Sequence, residues 1–160
     1  MKKKIVVLGF LGTNLDQGGK PRWGRWRPTI SLGQQDDLLV DRFELFYEKN
    51  FLDLAQLVQK DFQQVSPETE FNLREVVLKD PWDFQTVYSG IFDNLKDYKF
   101  DTDNEEYLVH ITTGTHVIQI CLFLLTESRH IPGKLLQTHM QKSRNPNGTY
   151  TIIDLDLSKY

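Results

Sequence analysis

The sequence predicts a single α/β domain with a Rossmann-like, doubly wound and mainly parallel sheet. Short apolar runs typical of buried parallel strands alternate along the chain with segments of helical periodicity, as in successive βαβ units. Two of these runs, Ile5–Leu11 and Leu108–Ile111, end directly in turns built of glycine and hydroxyl-bearing residues. Ligands of doubly wound sheets bind beyond the carboxyl ends of the strands, so both turns are candidate binding loops. The length of 160 residues suits one domain with a substantial core.

Each further element follows from a local pattern. Asp80 is suited to cap a helix, and Pro81 would then occupy the first helical position that proline favours. The polar segment 141–148 has turn chemistry, which makes the last strand a candidate for antiparallel pairing. The predicted elements are strands at Ile5–Leu11 and Leu39–Tyr47, a helix at Phe51–Gln64, a strand at Glu70–Leu78, a helix from Asp80 to about Tyr98, a strand at Leu108–Ile111, a helix from Val117 to about Arg129, and strands at Lys134–His139 and Tyr150–Leu157.

Composition and charge exclude several classes of protein. A formal net charge of −3 argues against a surface that coats DNA without specificity. The one cysteine, Cys121, lies in an apolar segment, which excludes a disulfide scaffold and fits a reducing compartment, so we expect a cytoplasmic protein. The apolar run after Met1–Lys4 ends at Gly12 and is too short for a signal peptide. No window reaches 18 apolar residues, so we expect no contact with a membrane.

The turn after Leu108–Ile111 has the features of an anion cradle. Gly114 permits a sharp turn and a close approach of the backbone to a ligand. The neighbouring threonines can cap the following helix and donate hydroxyl groups, and its free N–H groups and dipole favour a bound anion. A Walker A lysine pattern is missing, which excludes a P-loop NTPase. The alternative is a threonine- and glycine-rich turn with purely structural duties.

A second candidate region combines the turn after Ile5–Leu11 with an unusual arginine- and tryptophan-rich loop, Arg22–Thr29. Arginine forks bind phosphate in a bidentate manner, and tryptophan faces accept stacked bases. The structural alternative is that the tryptophans pack over the sheet edge while the arginines lie in solvent. If the two strands are neighbours, both turns and this loop would converge on one pocket. The glycines that flank the loop predict that it is mobile and closes on a ligand.

Catalytic motifs are missing: the sequence has no GxSxG, HExxH or CxxC pattern, and we expect neither a metal nor a cofactor. His116 can hydrogen-bond a phosphate or act as a general acid or base, but no second catalytic group is visible beside it, which favours binding over catalysis. Gln119 is the only polar residue from Val117 to Leu125, so a ligand contact and a subunit interface both remain open for it. The candidate ligand-binding residues are Gly12, Thr13, Asn14, Arg22, Trp26, Arg27, Thr112, Thr113, Gly114, Thr115, His116 and Gln119.

Several motifs resemble the N-terminal sensory domain of the RtcR family of RNA-repair transcriptional regulators, in the same order along nearly the whole chain. They are Gly9–Thr13, Leu15-Asp16, Arg22-Trp23, Trp26–Thr29, Pro81–Phe84, Val87-Tyr88, His110–His116 and Thr151–Leu157. That domain belongs to the CARF group, the Rossmann-like ligand sensors of CRISPR-associated proteins. The resemblance implies a homodimer with its ligand site across the two-fold axis. It also implies control of a following AAA+ ATPase domain that works with the sigma-54 polymerase, and a signal consisting of RNA with a 2′,3′-cyclic phosphate end.

The resemblance implies one CARF-like ligand-sensing domain over residues 1–160. The chain departs from the family in having no ATPase or DNA-binding domain, so we expect either an excised sensor domain or a stand-alone relative. The apolar character of Val117–Leu125 on nearly all sides fits a dimer contact. An alternative from another class is a CARF-type ring nuclease, or a sensor, that acts on cyclic oligoadenylate. Many CARF sensors carry a lysine where His116 stands here, and this difference fits a different RNA end.

Overall fold

The computed structural model describes residues 2–141 and 145–154. Among these residues it contains six strands and four α-helices. They are β1 (Lys4–Phe10), α1 (Pro28–Gly33), β2 (Arg42–Tyr47), α2 (Leu52–Val65), β3 (Glu70–Glu75), α3 (Phe84–Leu95), β4 (Glu105–His110), α4 (His116–Glu127), β5 (Gly133–Gln141) and β6 (Asn145–Ile153). In this part of the chain, no helix is both long and apolar enough to cross a membrane.

The six strands form one sheet in the order β3-β2-β1-β4-β5-β6. Strands β1 to β5 pair in parallel, and β6 pairs antiparallel with β5. The predicted Rossmann-like, mainly parallel sheet is therefore confirmed, including the reversed last strand. The order changes direction between β1 and β4, because the chain after β1 proceeds to β2 and the chain after β4 proceeds to β5 on the other side.

Helices cover both faces of the sheet, because alternate residues of each central strand point to opposite sides. Val7 and Leu108 pack with α1 and α2, whereas Leu8 and Val109 pack with α3 and α4. All four side chains are at most 1% exposed. Burying one such side chain contributes about 1.5–3 kcal/mol, which explains why the central strands read as continuous apolar runs.

Helix α1 was not predicted, and α3 begins later than expected. Helix α1 is six residues long and starts with proline, after a loop that the sequence analysis treated as irregular. For α3, the N-cap is Asp83, whose carboxylate accepts hydrogen bonds from the N–H of Thr86 at 3.0 Å and from its hydroxyl at 2.7 Å. Asp80 instead accepts from the N–H of Trp82 at 2.9 Å, so the prediction of a helix from Asp80 and Pro81 was wrong.

The remaining differences concern element ends. Strand β3 stops at Glu75 and α3 at Leu95, three residues short of each predicted end. The predicted turn at 141–148 partly belongs to β6, because antiparallel pairing with β5 continues as far as Gln141 and Asn145. Residues 142–144 of that turn and 155–157 of the predicted last strand lie outside the described residues.

Candidate ligand site at the carboxyl edge of the sheet

A cavity of about 460 Å³ opens where the strand order reverses. It is lined by both predicted turns, at 12–15 and 112–116, and by further residues. These are Phe10, Leu11, Phe51, Ile118, Glu48, Pro81 and Trp82, of which the last three are discussed below. The two turns meet because β1 and β4 are hydrogen-bonded neighbours, with Leu8 opposite Val109. The prediction that the turns lie at the same end of the sheet and share a pocket is confirmed.

The turn after β4 is held by its own threonines. Thr115 caps α4 by accepting from the N–H of Ile118 at 3.1 Å, and its hydroxyl donates to the carbonyl of Pro81 at 3.0 Å. The hydroxyl of Thr113 donates to the carbonyl of Phe10, and the Thr112 Oγ1 accepts from the N–H of Thr138 at 2.9 Å. These hydroxyl groups already have partners in the protein, so they shape the turn.

The backbone of the same turn has the geometry that was predicted for an anion cradle. Gly114 has a φ of +89°, and a Cβ at this position would lie 2.8 Å from the Cγ2 of Ile118. A side chain is therefore strained there in both conformation and space. The N–H groups of His116 and Val117 lie in the first turn of α4, where they have no intrahelical acceptor. Together with the helix dipole they favour an anion above the turn.

Gln119 supports this turn from the helix. Its Nε2 donates to the carbonyl of Gly114 at 3.1 Å and to the carbonyl of Thr112 at 3.3 Å. Gln119 is absent from the described residues that line the cavity. Its hydrogen bonds explain how a polar side chain is accommodated in an apolar helix, and they give it a positioning role.

The turn after β1 is organised by a buried carboxylate that the sequence analysis did not select. Asp16 is fully buried and accepts from the N–H of Gly12 at 2.7 Å. It also accepts from the N–H of Thr29 at 2.9 Å and from its hydroxyl at 2.7 Å, which joins the turn to α1. Burial raises the pKa of Asp16, and the hydrogen bonds from Thr29 and Gly12 oppose this effect. Gly12, whose N–H binds Asp16, lines the cavity together with Thr13 and Asn14.

Two arginines of the Arg22–Thr29 loop, Arg22 and Arg27, pair with a carboxylate of α2 and do not line the cavity. Arg27 is 2% exposed, and its Nη1 lies 2.9 Å from the Oδ2 of Asp61 on α2. The Nε of Arg22 lies 2.8 Å from the same oxygen. Neither arginine belongs to the described lining of the cavity, so the prediction that both surround it was wrong. The physical reason is the buried carboxylate of Asp61, which is distant in sequence and attracts both guanidinium groups.

The tryptophans of this loop also have structural contacts. The Trp23 ring lies under the Arg27 guanidinium, with its centroid 4.9 Å from the Cζ. Trp26 is half-buried against β6, where a Cβ on Gly148 would lie 2.5 Å from the indole Nε1. Trp26 is likewise absent from the described cavity lining. The contacts at both ends of the loop argue against the predicted mobile lid.

Trp82, Pro81 and Glu48 are among the lining residues that the sequence analysis did not select. Trp82 is 60% exposed, and its ring centroid lies 5.3 Å from that of His116. Pro81 precedes it, and both were assigned to the first turn of a helix. Glu48 follows β2 directly, so the rule that ligands bind beyond strand ends could have found it. Desolvation raises the pKa of Glu48, and the described lining includes no lysine or arginine.

Comparison with known proteins identifies the family. The sequence model of RtcR, the regulator of RNA terminal phosphate cyclase, matches residues 3–160. The chain belongs to the RtcR family. It is 47% identical over 163 aligned positions to the transcriptional regulatory protein RtcR of Escherichia coli (strain K12). The alignment covers 99% of this chain and 31% of that relative, so this RtcR-family chain spans about a third of the relative's length.

Solved CARF-domain structures share the fold. Csm6 of Enterococcus italicus, solved with cyclic hexa-2′-fluoro-hexa-dAMP, superposes with a TM-score of 0.70 at 14% identity, over 90% of this chain and 36% of that chain. Can2 of Sulfobacillus thermosulfidooxidans, solved with cyclic tetra-adenylate, gives a TM-score of 0.59 at 16% identity, over 92% of this chain and 36% of that chain. At such identities the likeness establishes the CARF-like architecture of the RtcR-family chain.

Proposed function

We propose that this RtcR-family chain is a ligand-sensing regulatory domain whose cavity binds the phosphate end of an RNA, with a 2′,3′-cyclic phosphate as the preferred end. The observation that carries the proposal is the turn at the start of α4, where Gly114 and His116 line the cavity and the N–H groups of the first helical turn have no intrahelical acceptor. Backbone N–H groups and a helix N-terminus together bind phosphate groups in many proteins.

The charges at the cavity favour a cyclic end over an open one. A cyclic phosphodiester carries one negative charge, whereas a terminal phosphomonoester carries about −1.5 to −2 at neutral pH. The helix N-terminus supplies only about half a positive charge. No lysine or arginine is among the described lining residues, and Glu48 adds a negative charge. A singly charged phosphate therefore fits this cavity better than a doubly charged one.

Trp82 offers a surface for the base that carries the phosphate. Its ring is 60% exposed beside His116 at the cavity, so its face is accessible to a ligand. Stacking of a base on an aromatic side chain contributes about 1–3 kcal/mol. We expect His116 to hydrogen-bond the phosphate while Trp82 stacks on the terminal base.

The test compares three RNAs of one sequence that end in a 2′,3′-cyclic phosphate, a 3′-phosphate or a 3′-hydroxyl. We expect the cyclic end to bind most tightly, and Trp82→Ala and His116→Ala to weaken that binding, as measured by calorimetry. Trp82→Phe should retain most of the affinity. Equal affinity for all three ends would refute the proposed end recognition.

The RtcR-family chain would act on the rest of a longer regulator. It spans 31% of a transcriptional regulatory protein, and the resemblance described above points to an AAA+ domain of a sigma-54-dependent activator. We propose that the occupied domain changes the activity of that AAA+ domain in the cytoplasm. In the full-length protein, ligand-dependent ATPase activity should be lost on His116→Ala. If the ligand still stimulates the ATPase activity of the His116→Ala variant, this cavity does not control the activator.

We further propose that two copies associate through the layer formed by α3 and α4. Ile120 and Leu124 on α4 are 47% and 37% exposed, and Phe84 on α3 is 45% exposed. Helix α4 also begins at the cavity, so association through it would link ligand binding to the arrangement of the two copies. A second copy would cover the same apolar residues on both chains in an isologous contact.

Cleavage of cyclic oligoadenylate is the second candidate function, and one observation favours it. His116 and Glu48 line the same cavity, which supplies a second acid–base group that the sequence did not reveal. Incubation with cyclic tetra- and hexa-adenylate followed by mass spectrometry would detect linear products. Their formation, and its loss in His116→Ala, would replace the sensor assignment with a nuclease.

A further inference from the structure

Glu48 is a carboxylate at the cavity to which the proposed sensor function assigns no contact with the ligand. It follows β2 directly and begins a short 3₁₀ turn, Lys49–Phe51, in which the N–H of Phe51 donates to the Glu48 carbonyl at 2.8 Å. The side chain makes no capping hydrogen bond. Within the described residues, its carboxylate has no hydrogen-bond or ion-pair partner. The backbone is thus used by the fold, while the side chain stays available to a ligand.

The position of Glu48 divides the cavity into two chemically different ends. The sheet order is β2-β1-β4, so Glu48 and the α4 N-terminus approach the cavity from opposite sides of the turn after β1. The α4 end attracts an anion, whereas a carboxylate repels one and accepts hydrogen bonds. Glu48 is the one aspartate, glutamate, lysine or arginine in the described lining, so no cation cancels this contrast.

The surroundings of Glu48 suit a flat, partly apolar group. Phe51 lines the cavity three residues after it, and Phe10 and Leu11 line the cavity from β1 and its turn. Glu48 itself is half-buried, and the desolvation that raises its pKa would strengthen a hydrogen bond from a neutral N–H donor. An aromatic ring with N–H groups on its edge satisfies both the apolar walls and the carboxylate.

We infer that Glu48 determines ligand specificity by accepting hydrogen bonds from the N–H edge of a nucleobase, while the phosphate of the same ligand lies at the α4 N-terminus. A carboxylate accepts two parallel N–H donors best, and guanine offers an adjacent pair on its Watson–Crick edge. Guanine ends should therefore bind most tightly. This inference rests on the proposed function, since it assigns the hydrogen-bonding edge of the same terminal base that Trp82 would stack on.

The experiment uses nucleoside 2′,3′-cyclic phosphates of guanosine, inosine, adenosine, cytidine and uridine, together with inorganic phosphate, on the wild-type chain and on Glu48→Gln. Inosine lacks the second donor of guanosine and should bind more weakly. In Glu48→Gln we expect the guanosine ligand to lose about tenfold to a hundredfold in affinity. Inorganic phosphate should bind more tightly to Glu48→Gln than to the wild-type chain, because the negative charge of the Glu48 carboxylate no longer repels it. Asp53→Asn, an exposed change of equal charge on α2, is the matched control.

The outcomes separate this inference from the proposed function. A base preference that Glu48→Gln abolishes supports the inference, even if the wild-type chain does not distinguish cyclic from open ends. An equal loss for all bases, or an effect equal to that of Asp53→Asn, overturns it while leaving cyclic-end binding intact. Failure of every nucleotide to bind overturns both. Unfolding curves must show that Glu48→Gln is folded, and Glu48→Asp serves as a second variant if it is not.

Discussion

Arg27 and Asp61 form a buried ion pair, with Nη1 and Oδ2 2.9 Å apart and both side chains 1% exposed. Arg22 approaches the same oxygen at 2.8 Å from a half-exposed position. The Arg27 Nη1 also lies 3.4 Å from the carbonyl oxygen of Asp16, the residue that anchors the turn after β1. This contact fastens the loop before α1 to α2 and holds the cavity turn indirectly.

Replacing Arg27 with alanine should therefore lower stability far more than ligand affinity. Removing one partner of a buried ion pair costs up to about 3–5 kcal/mol in the free energy of unfolding. The remaining contact of Arg22 with the same Asp61 oxygen should reduce this loss. Urea unfolding of Arg27→Ala measures this loss, and the exposed Arg25→Ala provides the control. If Arg27→Ala is as stable as Arg25→Ala but loses ligand affinity, the guanidinium contacts the ligand after all.

Stability should rise with pH through the acid range because of His110. This side chain is fully buried, with its Nε2 2.9 Å from the Thr138 Oγ1, and burial lowers its pKa to about 3. Between that value and the ordinary pKa of about 6.5, the unfolded state binds a proton that the folded state does not. Within this window, each increase of one pH unit should therefore raise the free energy of unfolding by about 1.4 kcal/mol through His110.

His110→Gln should flatten this pH dependence, whereas the exposed His130→Gln should not. The measurement is urea unfolding at pH 4.5, 5.5 and 6.5. Burial raises the pKa of Asp16, so the Asp16 carboxyl makes the free energy of unfolding fall as the pH rises, which opposes the effect of His110. The difference between the slopes of wild type and His110→Gln isolates the contribution of His110. Equal slopes for wild type and His110→Gln would show that the imidazole is protonated in the folded state.

Gly114→Ala should impair both folding and binding. The φ of +89° and the 2.8 Å approach to Ile118 leave no unstrained place for a methyl group, and such strain costs about 1–3 kcal/mol. The cradle would also shift relative to the α4 N–H groups. Gly24→Ala is the control, because a Cβ there meets no atom within 4 Å. Equal thermal stability and affinity of the two variants would show that the turn adapts.

The proposed association through α3 and α4 predicts a dimer at micromolar concentration. Ile120→Glu with Leu124→Glu should give monomers, because two buried charges would face each other across the contact. Leu39→Glu changes a 57% exposed leucine before β2 and should leave the dimer intact. Light scattering reads out the mass, and a monomeric wild-type chain would contradict the proposal.

The fold could largely be predicted because its signals are local. Apolar runs such as the one around Val7 and Leu8 indicate strands buried on both faces, and Thr115 beside Gly114 indicates a turn that caps a helix. Helix starts were less certain, since Asp80 and Asp83 have similar capping chemistry, and only the hydrogen bonds to Thr86 and Trp82 distinguish them.

By itself, the sequence determined the doubly wound sheet and the two turns that follow strands at its carboxyl edge, because the βαβ pattern implies parallel strands with right-handed crossovers. That these turns meet depends on β1 and β4 being neighbours, which the tertiary structure decided. The tertiary structure decided which side chains face that edge. Asp61, which is 34 residues from Arg27 in the sequence, pairs with Arg27, and Arg27 does not line the cavity. Glu48, at the end of β2, and Trp82, in the loop before α3, do line it. Such pairings depend on burial and distance across the fold, and these quantities exist only once the chain has packed.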